Sequence, residues 1–224
     1  MTDGPAARLA AFLEQLEDAR RARDVTLIVV SKRHPAALVR ELAGAGQRHF
    51  GESRHPESRD KAEELADLDL VWHFIGQLQR NKARQVARYA DGLHSIDSME
   101  LVGALEGGDP GDERPVRDAL VQVNLSDDPG RGGVAPDGLD ALAERVAASS
   151  ALRLRGVMAV APLGEEPAAA FERLALLAGR VRAIEPTADW ISAGMSGDWR
   201  AALEHGATHL RIGTAITGNR TLGG

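Results

Sequence analysis

The sequence predicts a single (β/α)8 barrel preceded by an extra helix, and three observations lead there. Short apolar runs of strand length recur eight times, and longer amphipathic stretches lie between them. The turn after the first run, Ser31-Lys32-Arg33-His34-Pro35, lacks the G-x-G-x-x-G that an open doubly wound sheet would want. At 224 residues the chain is at the compact end of the barrel's size range and long enough for a core without staples.

The elements come in chain order, with residues 1–23 read as the leading helix and 1–224 as one domain. Strand one is 25–31 (VTLIVVS), a continuous apolar run of the kind a parallel strand buried on both faces requires. Helix 35–45, with apolar residues at three- and four-residue spacing, leads to strand two at 47–51 (QRHFG), helix 57–66 and strand three at 70–76 (LVWHFIG). Helix 81–89 then precedes strand four, 92–96 (GLHSI). Residues 106–118 (EGGDPGDERPVRD) break the rhythm with Gly, Pro and charge; the alternation resumes in phase afterwards, so they read as a surface loop. Strand five at 119–124 (ALVQVN), helix 136–149, strand six at 154–160 (LRGVMAV), helix 168–184, strand seven at 189–193 (DWISA) and strand eight at 209–213 (HLRIG) complete the barrel.

Composition narrows the function. With no cysteine there is no disulfide, thiolate metal site or cysteine nucleophile. A net charge of −6, with no arm that concentrates Lys and Arg, argues against nucleic-acid binding. No signal-like or membrane-spanning apolar stretch stands out, so the expected location is the cytoplasm. The seven histidines form neither a His-x-His strand pair nor H-E-x-x-H, so no metal is signalled; His73 and His94 read as lining the barrel or capping its layers.

Function in such a barrel collects on the loops after the strands, and phosphate is often held after strands seven and eight. Lys32 comes after strand one with no neighbouring carboxylate, and at an apolar barrel mouth desolvation favours the neutral, nucleophilic amine that imine formation needs. Ala193-Gly194-Met195-Ser196-Gly197-Asp198 and Arg211-Ile212-Gly213-Thr214 carry glycines for close backbone approach and hydroxyls at the starts of helical stretches, the ingredients of a phosphate cradle. Either loop alone also reads as a barrel turn with helix caps; their pairing tilts the reading toward phosphate. Arg211 lies within an apolar strand and needs a partner, which a ring nitrogen or a phosphate would supply.

Trp72-His73-Phe74-Ile75-Gly76-Gln77-Leu78-Gln79-Arg80-Asn81-Lys82, with Val86 beyond it, closely resembles the signature of the pyridoxal phosphate homeostasis protein family. Val30-Ser31-Lys32, Gly46-Gln47-Arg48-His49-Phe50-Gly51-Glu52, Gly194-Met195-Ser196-Gly197-Asp198 and Arg211-Ile212-Gly213-Thr214-Ala215-Ile216 resemble it in the same order, over residues 25–220. The resemblance implies a barrel like the N-terminal domain of alanine racemase, with pyridoxal 5′-phosphate held as an imine on Lys32. It further implies that Ser196 with the backbone of Gly213 and Thr214 holds the phosphate, and that Arg211 faces the pyridine nitrogen.

On this resemblance the chain is expected to be a cytoplasmic, monomeric carrier that hands the cofactor to apo-enzymes and catalyses nothing itself. A cationic partner disfavours ring protonation and makes the cofactor a poorer electron sink. Racemases of this fold also use a tyrosine from an additional C-terminal domain, whereas here the sequence ends at Gly224 and its only tyrosine, Tyr89, falls on the predicted third helix. The alternatives are a small racemase or lyase using the same cofactor, and a Schiff-base aldolase acting on a phosphosugar. Three departures from the family pattern point to altered affinity: Ser53 where an Asn is usual, Thr217 where an aromatic is usual, and Arg33-His34-Pro35 after the lysine.

Overall fold

A computed structural model describes residues 4–20, 24–107, 115–128 and 130–218. Eight parallel strands close into a barrel in sequence order, β1 (Thr26–Val30), β2 (His49–Glu52), β3 (Val71–Phe74), β4 (Gly92–Ile96), β5 (Arg117–Gln122), β6 (Leu152–Met158), β7 (Trp190–Ser192) and β8 (His209–Ile212). Around them run α1 (Pro5–Ala19), α2 (Ala36–Gly44), α3 (Glu57–Glu64), α4 (Arg80–Val86), α5 (Met99–Glu106), α6 (Leu139–Ala147), α7 (Pro167–Ile184), α8 (Trp199–Glu204) and α9 (Thr214–Thr217). The predicted barrel and its leading helix are both present. Of the leading segment, α1 occupies Pro5–Ala19, while residues 1–3 and 21–23 lie outside the described ones.

Strand alternation sorts the side chains. Leu27, Val29, Phe50, Trp72 and Phe74 point outward and join the buried cluster between sheet and helices, where each fully buried Leu or Val contributes about 1.5–3 kcal/mol. Ile28 and Val30 are buried as well but face the barrel interior, with the opposite parity. The helix face that meets the sheet is drawn from the three- and four-residue pattern, as in α6, which buries Leu139, Leu142, Ala143 and Val146.

The differences from the sequence reading have local causes. Tyr89 is not helical: α4 stops at Val86, and the N–H groups of Arg88 and Tyr89 bond back three residues, to Gln85 and Val86, tightening the end of the helix. The predicted helix 136–149 opens as a 3-10 turn, Pro136–Gly138, before α6, and ends at Ala147. Helix α5 had no strong periodic signal because it is short and holds Gly103; Ser98 Oγ caps it, accepting from Leu101 N–H at 3.4 Å. That helix reaches Glu106 and β5 begins at Arg117, so the expected loop 106–118 is shorter at both ends, and 108–114 lie outside the described residues.

Strands β5 and β6 likewise start earlier than their apolar runs, because charged residues pair across them: Arg153 Nε donates to Asp118 Oδ1 at 2.6 Å. Register shifts between these strands next to Gly156, at φ +145°, where a Cβ would lie 1.9 Å from Trp190 O. Only glycine fits there. Arg155, one residue earlier, lays its guanidinium 4.5 Å over the Trp190 ring.

Candidate functional site at the barrel mouth

Lys32 stands two residues past the end of β1, on the inward parity of Ile28 and Val30, at the C-terminal mouth of the barrel. Both its neighbours are pinned. Ser31 Oγ donates to Glu52 Oε1 at 2.8 Å, and Lys61 Nζ donates to Ser31 O at 3.0 Å and to Glu52 Oε1 at 2.5 Å. Arg33 N–H donates to Glu57 Oε1 at 2.5 Å while its backbone takes φ +63°, the left-handed conformation that turns the chain sharply after Lys32. Lys32 itself is exposed, and among the described residues its side chain has no hydrogen bond or ion pair. The apolar, desolvating surroundings expected for this amine are absent, because the inward apolar side chains Ile28 and Val30 end below it.

The anchor behind Lys32 is a buried ion pair, with Lys61 5% and Glu52 2% exposed. Glu52 Oε2 has no hydrogen-bond partner among the described residues, and burial pushes the Glu52 carboxyl up despite the Lys61 ammonium beside it. Removing one member leaves the other charge stranded, so Lys61→Met is expected to cost on the order of 3 kcal/mol in urea unfolding. A loss below about 1 kcal/mol would show that the pair does not anchor this turn.

Arg211 lies on β8, 4% exposed, with Nη1 donating to Ser192 Oγ at 2.6 Å and Nη2 to Ala159 O at 2.8 Å. Both acceptors are neutral. Burial therefore pushes its guanidinium down to about 10, opposed by the charge of Asp198, and it remains a cation at neutral pH. The two late loops meet beside it: Ser196 Oγ accepts from Ala215 N–H at 3.3 Å and from Thr214 Oγ1 at 3.4 Å, both long contacts.

Gly194, at φ +89°, lets the β7 loop pack closely on α8. A Cβ there would lie 2.8 Å from Ala202 Cβ and 3.0 Å from Trp199 Cα. Asp198 Oδ1 accepts from Met195 N–H at 2.6 Å and closes the turn that carries Ser196. A Cβ on Gly213 would lie 3.7 Å from Val30 Cβ, so the β8 loop is neighbour to the strand that carries Lys32. From outside, Arg8 Nε of α1 donates to Ile216 O at 2.7 Å and Phe12 packs on Trp199 at 5.1 Å, tying the leading helix to α9 and α8.

The profile of the alanine racemase N-terminal domain family matches residues 7–221. The pyridoxal phosphate homeostasis protein of Pseudomonas aeruginosa is 42% identical over 219 residues, covering 97% of this chain and 95% of its own; that of Mycobacterium leprae is 40% identical over 232 residues, covering 95% and 88%. The chain belongs to the pyridoxal phosphate homeostasis protein family. Among solved structures, PipY of Synechococcus elongatus with PLP bound is 37% identical at a TM-score of 0.80, covering 96% of this chain and all of PipY. Alanine racemase of Corynebacterium glutamicum, 16% identical at 0.70, shares the fold.

Three residues that support the site in this homeostasis-family member, Ser192, Glu52 and Lys61, were not singled out by sequence reasoning. Their signal was faint. Ser192 hides in a three-residue strand, while Lys61 sits on a helix that is polar almost throughout, ESRDKAEE, and buries only Lys61 and Ser58. Tyr89 is half-buried with its hydroxyl 3.0 Å from Ser58 Oγ, and burial raises it to about 12. Of the departures, Ser53 supplies the backbone against which Gly76 packs, a Cβ there falling 2.4 Å from Ser53 O, and Thr217 is buried at the end of α9.

Proposed function

We propose that this protein is a single-domain, cytoplasmic carrier of pyridoxal 5′-phosphate, monomeric and without catalysis of its own, which takes up the cofactor and yields it to apo-enzymes. The observation that carries the reading is the set of groups at one barrel mouth. Among the described residues, Lys32 is an exposed amine with no carboxylate partner and Arg211 is a buried cation hydrogen-bonded to neutral partners, and the Ser196, Thr214 and Ala215 donors converge beside them. No helix among the described residues is long and apolar enough to cross a membrane. The kinship to homeostasis proteins at about 40% identity points the same way.

The donor set fits the cofactor at each end. Hydroxyls and a backbone N–H that only loosely satisfy one another suit a phosphate, which accepts at three oxygens. Ser196 and the backbone of Gly213 and Thr214 would hold it. The cofactor supplies an aldehyde that a primary amine captures reversibly. Lys32 would provide that amine, on a turn held by Ser31, Glu52, Lys61 and Glu57, so that its stem alone moves. Arg211 would present an N–H donor to the pyridine nitrogen and, being cationic, would keep that nitrogen unprotonated. Reversible capture without proton traffic at the ring is what a carrier needs.

The test is titration of the purified protein with pyridoxal phosphate, monitored by absorbance, with amino-acid turnover measured in parallel. A visible band and no turnover is the expected result. Turnover of an amino acid would make it a small racemase or lyase, and no band with capture of a sugar phosphate would make it an aldolase. In Arg211→Ala the band is expected to persist while its maximum and pH dependence shift; an unchanged spectrum would show that Arg211 does not face the ring.

A further inference from the structure

The barrel interior beneath Arg211 is polar, and its polar atoms form one line. His49 Nδ1 lies 3.0 Å from His73 Nε2, His73 Nδ1 lies 2.9 Å from His94 Nε2, and His94 Nδ1 lies 2.9 Å from Ser192 Oγ. Ser192 Oγ then accepts from Arg211 Nη1 at 2.6 Å. The line starts at half-buried His49 on β2 and passes through β3, β4 and β7 to β8. Gly92 makes room for it, since a Cβ there would fall 2.8 Å from His73 Nδ1.

Arg211 sets its direction. A guanidinium only donates, so Ser192 Oγ accepts from it and turns its own hydrogen to the atom it faces, His94 Nδ1. A neutral imidazole that accepts at Nδ1 carries its hydrogen on Nε2, so His94 donates to His73 Nδ1 and His73 donates through Nε2 to His49 Nδ1. Burial keeps the rings neutral: His73 and His94 are held well below the usual range by desolvation, reinforced by His49 and His209 for the first and by His73, His209 and Arg211 for the second. His49 is lowered by burial too, against the pull of Asp91. His209 and Trp190 lie alongside, with Arg155 stacked on the Trp190 ring.

We propose that Ser192, His94, His73 and His49 are positioning residues for Arg211, a one-way chain of Nε2–H tautomers that fixes the guanidinium where the cofactor ring would meet it. The role toward the ring rests on the carrier function proposed for the barrel mouth. With Nη1 tied to Ser192 and Nη2 to Ala159 O, the plane of the guanidinium cannot rotate. The aligned imidazole dipoles present their acceptor end to the charge. They stabilise it without a carboxylate that would cancel it.

The experiment is long-range ¹H–¹⁵N correlation on ¹⁵N-histidine-labelled protein, with and without pyridoxal phosphate, on wild type, Ser192→Ala and Ser192→Thr. In the wild type His73 and His94 are expected as neutral Nε2–H tautomers across about pH 6 to 8, the range where an ordinary histidine titrates. Ser192→Ala is expected to turn His94 and His73 into tautomer mixtures and shift the cofactor band while leaving attachment at Lys32 intact; Ser192→Thr, which keeps the hydroxyl, restores both. Mixed or Nδ1–H tautomers in the wild type would overturn the chain, even if the variants fail to fold. So would a Ser192→Ala protein whose tautomers and band match the wild type. A wild type with the expected tautomers that takes up no cofactor would uphold the chain and sink the carrier reading alone.

Discussion

Lys32→Ala, mixed with pyridoxal phosphate and treated with borohydride, is expected to carry no covalent label, whereas the wild type carries one. The chain has only three lysines, Lys32, Lys61 and Lys82, so peptide mapping resolves the attachment unambiguously. Lys61 is a poor substitute because it is 5% exposed and bonded to Glu52 and Ser31 O. Since Lys32 is exposed and makes no bond among the described residues, its truncation should change stability by no more than about 0.5 kcal/mol, which keeps the test clean. Thermal stabilisation gives a second readout. A ligand at a hundredfold its Kd adds about 2.7 kcal/mol to the wild type, and the variant should retain a smaller gain from the phosphate donors alone. A label on Lys61 or Lys82 in the variant would move the site away from β1.

The second large effect is acid destabilisation well above the carboxylate range. An unfolded histidine titrates near 6.5, but in the fold His209 is held at about 3, chiefly by burial and then by His49, Arg155 and Arg211. Below about pH 6.5 the unfolded chain binds protons that the native state refuses, so stability falls as pH drops. Its contribution is complete above that value. From about pH 6.5 to 5, His209 alone costs about 2 kcal/mol, and His73 and His94, lowered for the same reason, add in the same direction. Glu52, raised by burial, works in the opposite sense and offsets part of this. Urea unfolding at pH 7, 6 and 5 checks it, with Glu52→Gln to remove the offset. A flat profile over that interval would mean that the interior histidines are charged or solvated in the native state.

Much of the barrel was legible because a buried parallel strand must be apolar on both faces and a covering helix on one. That contrast survives in a single sequence as alternating short and long apolar patterns. It failed where charge or glycine interrupted the pattern without interrupting the backbone: at Arg117 and Arg153, paired strand residues that read as loop, and at α5, broken by Gly103. The candidate site was legible in its loops only as a pair, since glycines and hydroxyls at Gly194, Ser196, Gly213 and Thr214 stand after consecutive strands, while either loop alone also reads as a capped barrel turn. Its surroundings were not. Nothing in the composition of the first strand shows that Lys32 stands in water, because that depends on where Ile28 and Val30 end relative to the barrel rim.

The sequence by itself determined the eightfold βα alternation, the family, and the residues that stand at the strand ends, all of which arise from local periodicity and contiguous motifs. Only the tertiary structure decided what supports them. Glu52 and Lys61 meet across β2 and α3 to hold the turn of Lys32, and Ser192 joins three histidines from three other strands to Arg211. Such contacts join residues up to 98 positions apart, and their worth comes from being buried together in a low-dielectric interior. A one-dimensional pattern records which residues are polar; closing the barrel decides which of them touch.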